Sequence, residues 1–252
     1  MILRPQKSAQ PIRLGRQPIK EALCEIRFKT ADPGVSTLLP GLLYQKLRDK
    51  YPKVENSQIS HIPRSLRENS PDLAYQTLIK MTGKDGVLQI GDRHISYASV
   101  AEYPGWPQLK KGLMEAWEIV FGVTDLVERV SVKFINLFPF SSGYRTLADI
   151  TTLAVSLDGG DVTDEHITLR TYERNNDIIS VIQVATPAMI TESGLDAPLT
   201  GLVLDIDSII EREGLTLEEV GNYLDRVHDE EKRIFYSLIS ETTLRACEPH
   251  YE

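Results

Sequence analysis

The stretch Ala74-Tyr75-Gln76-Thr77-Leu78-Ile79-Lys80-Met81-Thr82-Gly83-Lys84-Asp85-Gly86-Val87-Leu88-Gln89-Ile90 decides the fold. Two apolar-rich runs, Ala74 to Met81 and Val87 to Ile90, flank a loop with glycines at its second and last positions, which is the pattern of a hairpin. His94 to Val100 continues it into a third strand, so the region reads as an antiparallel meander. Upstream, Ala22, Cys24, Ile26 and Phe28 alternate with Leu23, Glu25, Arg27 and Lys29. That period of two predicts a strand with one apolar and one mostly polar face. Between these strands Asp32-Pro33-Gly34 reads as a turn. A helix is predicted over Thr37 to Lys50, with Leu39, Leu42, Leu43 and Leu47 as its stripe, Pro40 in its first turn and Pro52 as its stop.

Downstream, Tyr103-Pro104-Gly105-Trp106-Pro107 interrupts the strands and starts a second helix, with Pro107 near its first position. Leu109, Leu113, Ala116, Trp117 and Val120 share one face, and Gly122 stands where a left-handed terminal residue would. Leu126 to Phe138 is a strand with Val130, Val132 and Phe134 on its inner face and Arg129, Ser131 and Lys133 on the other. Leu153 to Leu157, His166 to Tyr172, Ile178 to Ala185 and Leu202 to Asp207 read as further strands. Asp158-Gly159-Gly160 and Asn175-Asn176-Asp177 supply turns between them. Thr216-Leu217-Glu218-Glu219 is a capping box that opens a long helix. Its stripe of Leu217, Val220, Leu224, Val227, Ile234 and Leu238 is interrupted only at Glu231, and it is predicted to run to Ala246, about 45 Å at the standard rise.

Meandering strands with interspersed helices predict an α+β fold: an antiparallel-rich curved sheet, two helices in the first half and one long C-terminal helix. The order approximates a twice-repeated strand–helix pattern, but no matching residues support a repeat. Met1 to Gln17, polar and carrying Pro5, Pro11 and Gly15, reads as an N-terminal arm. Residues 18–252 read as one domain, with two packed halves, about 18–140 and 141–252, as the alternative.

Hydrophobic residues at 41% and charged residues at 25% place the 252-residue chain among globular proteins rather than disordered ones. The formal net charge of −8, from 28 basic and 36 acidic residues, disfavours nonspecific attachment to nucleic acid or an anionic membrane. The two cysteines, Cys24 and Cys247, have no C-x-x-C spacing, which argues against a zinc or redox motif and fits a reducing compartment. No apolar run approaches the ~20 residues of a membrane span, and no secretory h-region follows the start. The expected location is the cytoplasm.

Phosphate loops, nucleophile elbows and zinc-helix motifs are missing from the sequence, so no catalytic residue, metal ligand or cofactor is assigned. Three sets of residues remain. Arg27, Arg129, Lys133, Arg170 and Arg174, with Tyr172 between the last two, fall on polar strand faces and form a candidate anion- or nucleotide-binding surface. Tyr103 and Trp106 of the aromatic loop, with Phe235, Tyr236 and Ile239 beside the main stripe of the long helix, are candidate partner contacts. His228, in mid-helix beside the apolar stripe, and Asp205 and Asp207, on one side of a strand, are further candidates. Their simpler reading is a hydrogen-bonded histidine and a solvated acidic face.

Four segments together carry a resemblance. They are Pro18-Ile19-Lys20-Glu21-Ala22-Leu23-Cys24-Glu25-Ile26-Arg27-Phe28, Leu39-Pro40-Gly41-Leu42-Leu43-Tyr44, Tyr103-Pro104-Gly105-Trp106 and Leu224-Asp225-Arg226-Val227-His228. With Arg129 to Asn136 and Leu204-Asp205-Ile206-Asp207, the chain resembles, over nearly its whole length, a sporadically distributed prokaryotic family catalogued by number only. The resemblance implies no activity, catalytic residue or cofactor. The family's patchy distribution implies conflict-related genes such as phage-defence or toxin–antitoxin modules. Lys133-Phe134-Ile135-Asn136 departs from an arginine–aromatic pattern at that point, which weakens an anion role there. The function expected from all this is a binding or regulatory component with a protein partner or a second copy of itself. A nucleotide- or nucleic-acid-binding enzyme or sensor is the alternative.

Overall fold

The computed structural model describes residues 10–30, 32–99, 102–124, 126–140, 143–144, 146–162, 166–190 and 198–251. In the first half lie β1 (Arg13–Leu14), β2 (Ile19–Lys29), α1 (Pro33–Leu47), β3 (Lys53–Asn56), α2 (Arg64–Glu68), β4 (Ile79–Thr82), β5 (Gly86–Ile90), β6 (His94–Ser99), α3 (Trp106–Val120) and β7 (Leu126–Pro139). Then follow α4 (Leu147–Ile150), β8 (Ser156–Leu157), β9 (Gly160–Asp161), β10 (Ile167–Asn175), β11 (Ile178–Ile190), β12 (Leu199–Glu211), α5 (Leu217–Leu238), α6 (Glu241–Ala246) and β13 (Pro249–His250). The fold is α+β: a nine-stranded antiparallel sheet in the order β10-β11-β12-β7-β2-β6-β5-β4-β3, with a long helix near the C-terminus. Among the described residues no helix is long and apolar enough to cross a membrane.

The described residues fall into two compact units. One takes in Glu21–Lys133 and Ile209–His228. Here the alternation of β2 places Ala22, Cys24, Ile26 and Phe28 in the core at 0% exposure. Trp117 of α3 packs on Phe28 with ring centroids 5.7 Å apart. Gly112 lets α3 lie close on β6, because a Cβ there would fall 2.4 Å from the Tyr97 ring. The Cys24 thiol, buried and close to the carbonyls of Tyr97 and Leu109, is pushed far above its ordinary value by burial.

The polar face of β2 is covered in its middle, where Glu25 and Arg27 are half-buried and Tyr75, from the segment 57–78, lies over Arg27. Arg67 lies across the turn before β6 in a two-pronged contact with Asp92, Nε to Oδ2 at 2.7 Å and Nη2 to Oδ1 at 3.0 Å. It also donates to the Ile62 carbonyl, and both charged residues are buried. The expected strand from Ala74 is shorter than the pattern suggested and begins at Ile79. Ala74 N–H donates to the Ser70 carbonyl and Gln76 N–H to the Leu73 carbonyl, which winds this stretch into turns.

Helix boundaries shift for local reasons. Asp32 accepts a hydrogen bond from Gly34 N–H at 2.7 Å and so caps α1, whose first residue is Pro33. The predicted turn is therefore the helix start, and Pro40 lies inside the helix rather than in its first turn. α3 ends in a 3-10 turn, Phe121–Val123, closed by Thr124 N–H on the Val120 carbonyl, instead of through a left-handed Gly122.

The other unit takes in the described residues of Met1–Lys20, Phe134–Ser208 and Asp229–Glu252. Its core gathers Phe138, Ile150, Ile182, Leu204, Ile206, Ile234 and Leu238. The long helix stops at Leu238 and does not continue to Ala246. Ser240 N–H donates to the Ile150 carbonyl and its hydroxyl accepts from Thr243 N–H, so a serine cap restarts the chain as α6. The strand expected from Leu153 reduces to β8, because Thr152 N–H bonds to the Leu238 carbonyl and Leu153 N–H to the Thr151 hydroxyl. Of the N-terminal arm, Arg13 and Leu14 pair with His250 and Pro249. Residues 1–9 of the arm, and the end of the third strand at residue 100, lie outside the described residues.

Candidate functional site

The aromatic loop ends at Gly105, whose φ of 92° belongs to the left-handed region that glycine tolerates best. This places Trp106 at the head of α3. Its indole stacks on the His228 imidazole with centroids 4.2 Å apart and planes 7° from parallel. Trp106 Nε1–H donates to Asp225 Oδ1 at 2.8 Å, and Lys110 Nζ donates to Asp225 Oδ2 at 2.7 Å. Asp225 and His228 are three residues apart on α5, so one helical face supplies both the acceptor and the stacking surface. Two of the segments quoted for the resemblance thus meet in one contact that braces α3 to α5. Tyr103 and Trp106 are both half-buried.

The basic set divides between the units. In the first, Arg27 Nε contacts Glu25 Oε1 at 2.7 Å, and its guanidinium lies 4.3 Å from the centroid of the Tyr75 ring. Arg93 lies 5.3 Å from that centroid and pairs with Glu128 at 2.9 Å. Lys29 reaches both Glu128 and Glu213 at 2.8 Å, and hydrogen bonds to these two carboxylates hold its ammonium above the ordinary lysine value. Tyr75 donates its hydroxyl to Glu128 at 3.3 Å. Cations and carboxylates therefore alternate along this face and satisfy one another. Arg129 and Lys133 are half-buried on β7, with Arg129 Nη2 3.5 Å from the Ser131 hydroxyl.

In the second unit the arrangement differs. Arg170, Tyr172 and Arg174 alternate on β10 and are all exposed, Tyr172 by 62%. Arg170 leans over the Tyr172 ring at 5.6 Å, and neither arginine has an ion pair among the described residues. Across the register Arg170 faces Gln183 of β11, whose amide donates to Asp205 Oδ2 at 3.2 Å. Asp205 and, two residues on, Asp207 therefore share a sheet face with Arg170, Tyr172 and Arg174 within this unit. Among the described residues no group of three histidines, cysteines or acids is placed to hold a metal ion.

Phe235, Tyr236 and Ile239 lie in the core of the same unit, at 6%, 7% and 0% exposure. The apolar width of the long helix is thus taken up by intramolecular packing. Two buried titratable groups carried less sequence signal. Glu231 breaks the stripe of α5 and is 3% exposed, with no hydrogen bond among the described residues. Burial pushes its carboxyl well above the usual range. His94, opposite Arg27 on β6, is 2% exposed. Its Nε2 lies 3.4 Å from the Thr77 hydroxyl, and its Nδ1 has no hydrogen-bond partner among the described residues. Burial lowers its value, Arg27 adds to that, and Glu25 and Asp92 oppose it. Glu231 announces itself as a gap in a stripe. The Arg67–Asp92 pair, 25 residues apart, leaves no local trace.

No family model matches the chain, and no curated protein is significantly similar to it.

Proposed function

We propose that this protein is a non-enzymatic binding or regulatory component that acts through protein–protein contacts, with Arg170, Tyr172 and Arg174 as its contact strip. One observation carries the reading: these arginines stand exposed and without ion pairs among the described residues, beside an exposed tyrosine, on an acidic chain. Arginine and tyrosine are the residue types most enriched among interface anchors. An exposed guanidinium without a carboxylate keeps its full capacity for a partner's acid. A cytoplasmic setting, which the cysteine usage supports, is part of the proposal, and so is a phage-defence or toxin–antitoxin-like system, which rests on the resemblance alone.

A nucleotide- or nucleic-acid-binding enzyme or sensor is the second reading, favoured by Asp205 and Asp207 lying on the same face as the arginines. Net charge opposes it for nucleic acid. Native affinity capture with mass spectrometry, run on the wild type and on an R170E/R174E variant, tests the first reading. A partner bound by the wild type and lost from the variant is the expected result. Identical captures, or a monomer that retains nothing, overturn it. Magnesium-dependent turnover of a nucleotide by the wild type, lost in Asp205→Asn, would favour the second.

A further inference from the structure

β10 is the last strand of the sheet order, and among the described residues only β11 is hydrogen-bonded to it. Its pairing runs without a bulge from Ile167↔Thr186 to Asn175↔Ile178, and it contains no proline. Among the described residues it is therefore an unbulged edge of nine residues with no second strand beside it. β10 lacks the bulges and prolines that blunt many edges, and the charges that guard it, Arg170 and Arg174, repel a like strand and leave an acidic one as the guest that fits. Asn176 and Asp177 form the turn to β11, with Asn176 at a φ of 54°. A two-residue turn closes on a hydrogen-bonded pair, here Asn175 and Ile178. The alternate residues Thr168, Arg170, Tyr172 and Arg174 then direct their N–H and C=O groups away from β11. The residues with outward backbone groups are thus the same ones whose side chains form the exposed strip.

We infer that β10 takes an extended acidic segment of a partner protein as an added tenth strand. This rests on the binding reading given above. The backbone edge supplies ladder hydrogen bonds, which a nucleic acid cannot match, and the side chains set the sequence preference. A guest strand puts alternate residues beside Arg170, Tyr172 and Arg174, so the fitting pattern is acidic–x–apolar–x–acidic. A second copy of this chain is a poor guest. Antiparallel pairing of β10 with itself about Tyr172 would set Arg170 directly opposite Arg174, and like charges in that position repel.

The test uses the full chain with the peptide acetyl-Thr-Glu-Thr-Ile-Thr-Glu-Thr-amide, a lysine-for-glutamate version of it, and a single-stranded DNA oligonucleotide. Amide hydrogen exchange is followed by NMR at low salt. The acidic peptide is expected to slow exchange at Thr168, Arg170, Tyr172 and Arg174, and raised salt should weaken it. In R170E/R174E its affinity should fall by about tenfold or more, and the lysine peptide should bind instead. No binding of the acidic peptide at millimolar concentration overturns the inference. So does equal binding of both peptides, or preferential binding of the DNA. If native capture shows a partner lost from R170E/R174E while that partner leaves the β10 amides unprotected, the strip binds but strand addition fails. If capture is unchanged and the peptide does not bind, both readings fail together.

Discussion

The two basic surfaces are built from the same residue types and arrive at opposite electrostatic states. On β2 and in the turn before β6, Arg27, Arg93 and Lys29 each meet a carboxylate, and Arg27 and Arg93 both lean on Tyr75. On β10, Arg170 and Arg174 meet none among the described residues, and the aromatic beside them is exposed. On the first surface Tyr75 covers Arg27 and Arg93 while Lys29 stays exposed, and a covered charge must find its partner within the fold or lose its hydration uncompensated. The second faces water and can leave its charge open at little cost to folding. A polar strand face therefore closes its charges within the fold or leaves them open according to what covers it, which strand periodicity alone does not reveal.

The sharpest way to break the comparison is at the cover. Asp92→Asn or Arg67→Ala leaves one member of a buried pair without its counter-charge, a loss of about 3–5 kcal/mol in comparable sites. Urea unfolding with hydrogen exchange at residues 57–78 measures it. The expected result is a large loss of stability, with that segment among the first to open. A change within about 0.5 kcal/mol, the scale of ordinary surface substitutions, would show that the cover does not depend on the pair.

The strand and helix pattern was legible because alternation on β2 and β7 and the stripe on α5 are set by a buried face, and burial writes itself into residue type. The breaks were less legible. The stop at Ser240 depends on an Ile150 carbonyl about ninety residues away, and the winding at Ala74 on carbonyls three or four residues back that no apolar pattern records. Candidate side chains fared similarly. The identity of Arg27 and Arg170 is the same in sequence, and only the cover over one of them separates a satisfied ion pair from an open one.

Two buried groups sharpen the contrast through pH. His94, with a reference value of 6.5, is held low in its unit. The folded state thus binds fewer protons than the unfolded state once pH drops below that reference. Stability there is constant above it and falls by about 1.4 kcal/mol per pH unit below it, until the folded value is reached. Glu231, with a reference of 4.5, is held high in the other unit. The folded state there keeps a proton that the unfolded state releases, so stability falls as pH rises above the reference, at the same slope. Hydrogen exchange of β6 and of α5 across pH 5–8 should show β6 losing protection toward acid and α5 toward base. His94→Gln should flatten the first trend and Glu231→Gln the second. Parallel trends in both elements, unaffected by these substitutions, would refute the assignment.

The brace between α3 and α5 predicts a middle-sized effect. Trp106→Phe keeps an aromatic surface for His228 but removes the Nε1–H donor to Asp225, leaving Lys110 as that carboxylate's remaining partner of the two. The Asp225 side chain is nearly half exposed, so water can replace part of the lost bond, and a loss of about 1 kcal/mol is expected. Asp225→Asn in the same background should cost only what the partly exposed Lys110 pair supplies, less than Asp225→Asn costs in the wild type. A double-mutant cycle by urea unfolding reads this directly.

The smallest expected effect on stability is the one on which the proposed binding role turns. Replacing Arg170 and Arg174 by glutamate removes exposed charges without ion pairs among the described residues, so unfolding should change by no more than about 0.5 kcal/mol. Arg27→Glu, by contrast, sets two acids side by side with Glu25 and removes a cation from the Tyr75 ring, and it should cost clearly more. A small loss would show that these side chains contribute little to their own fold, which is what the proposed contact strip requires. If R170E/R174E proved as destabilising as Arg27→Glu, the strip would be a structural surface like its counterpart, and the difference between the two faces would vanish.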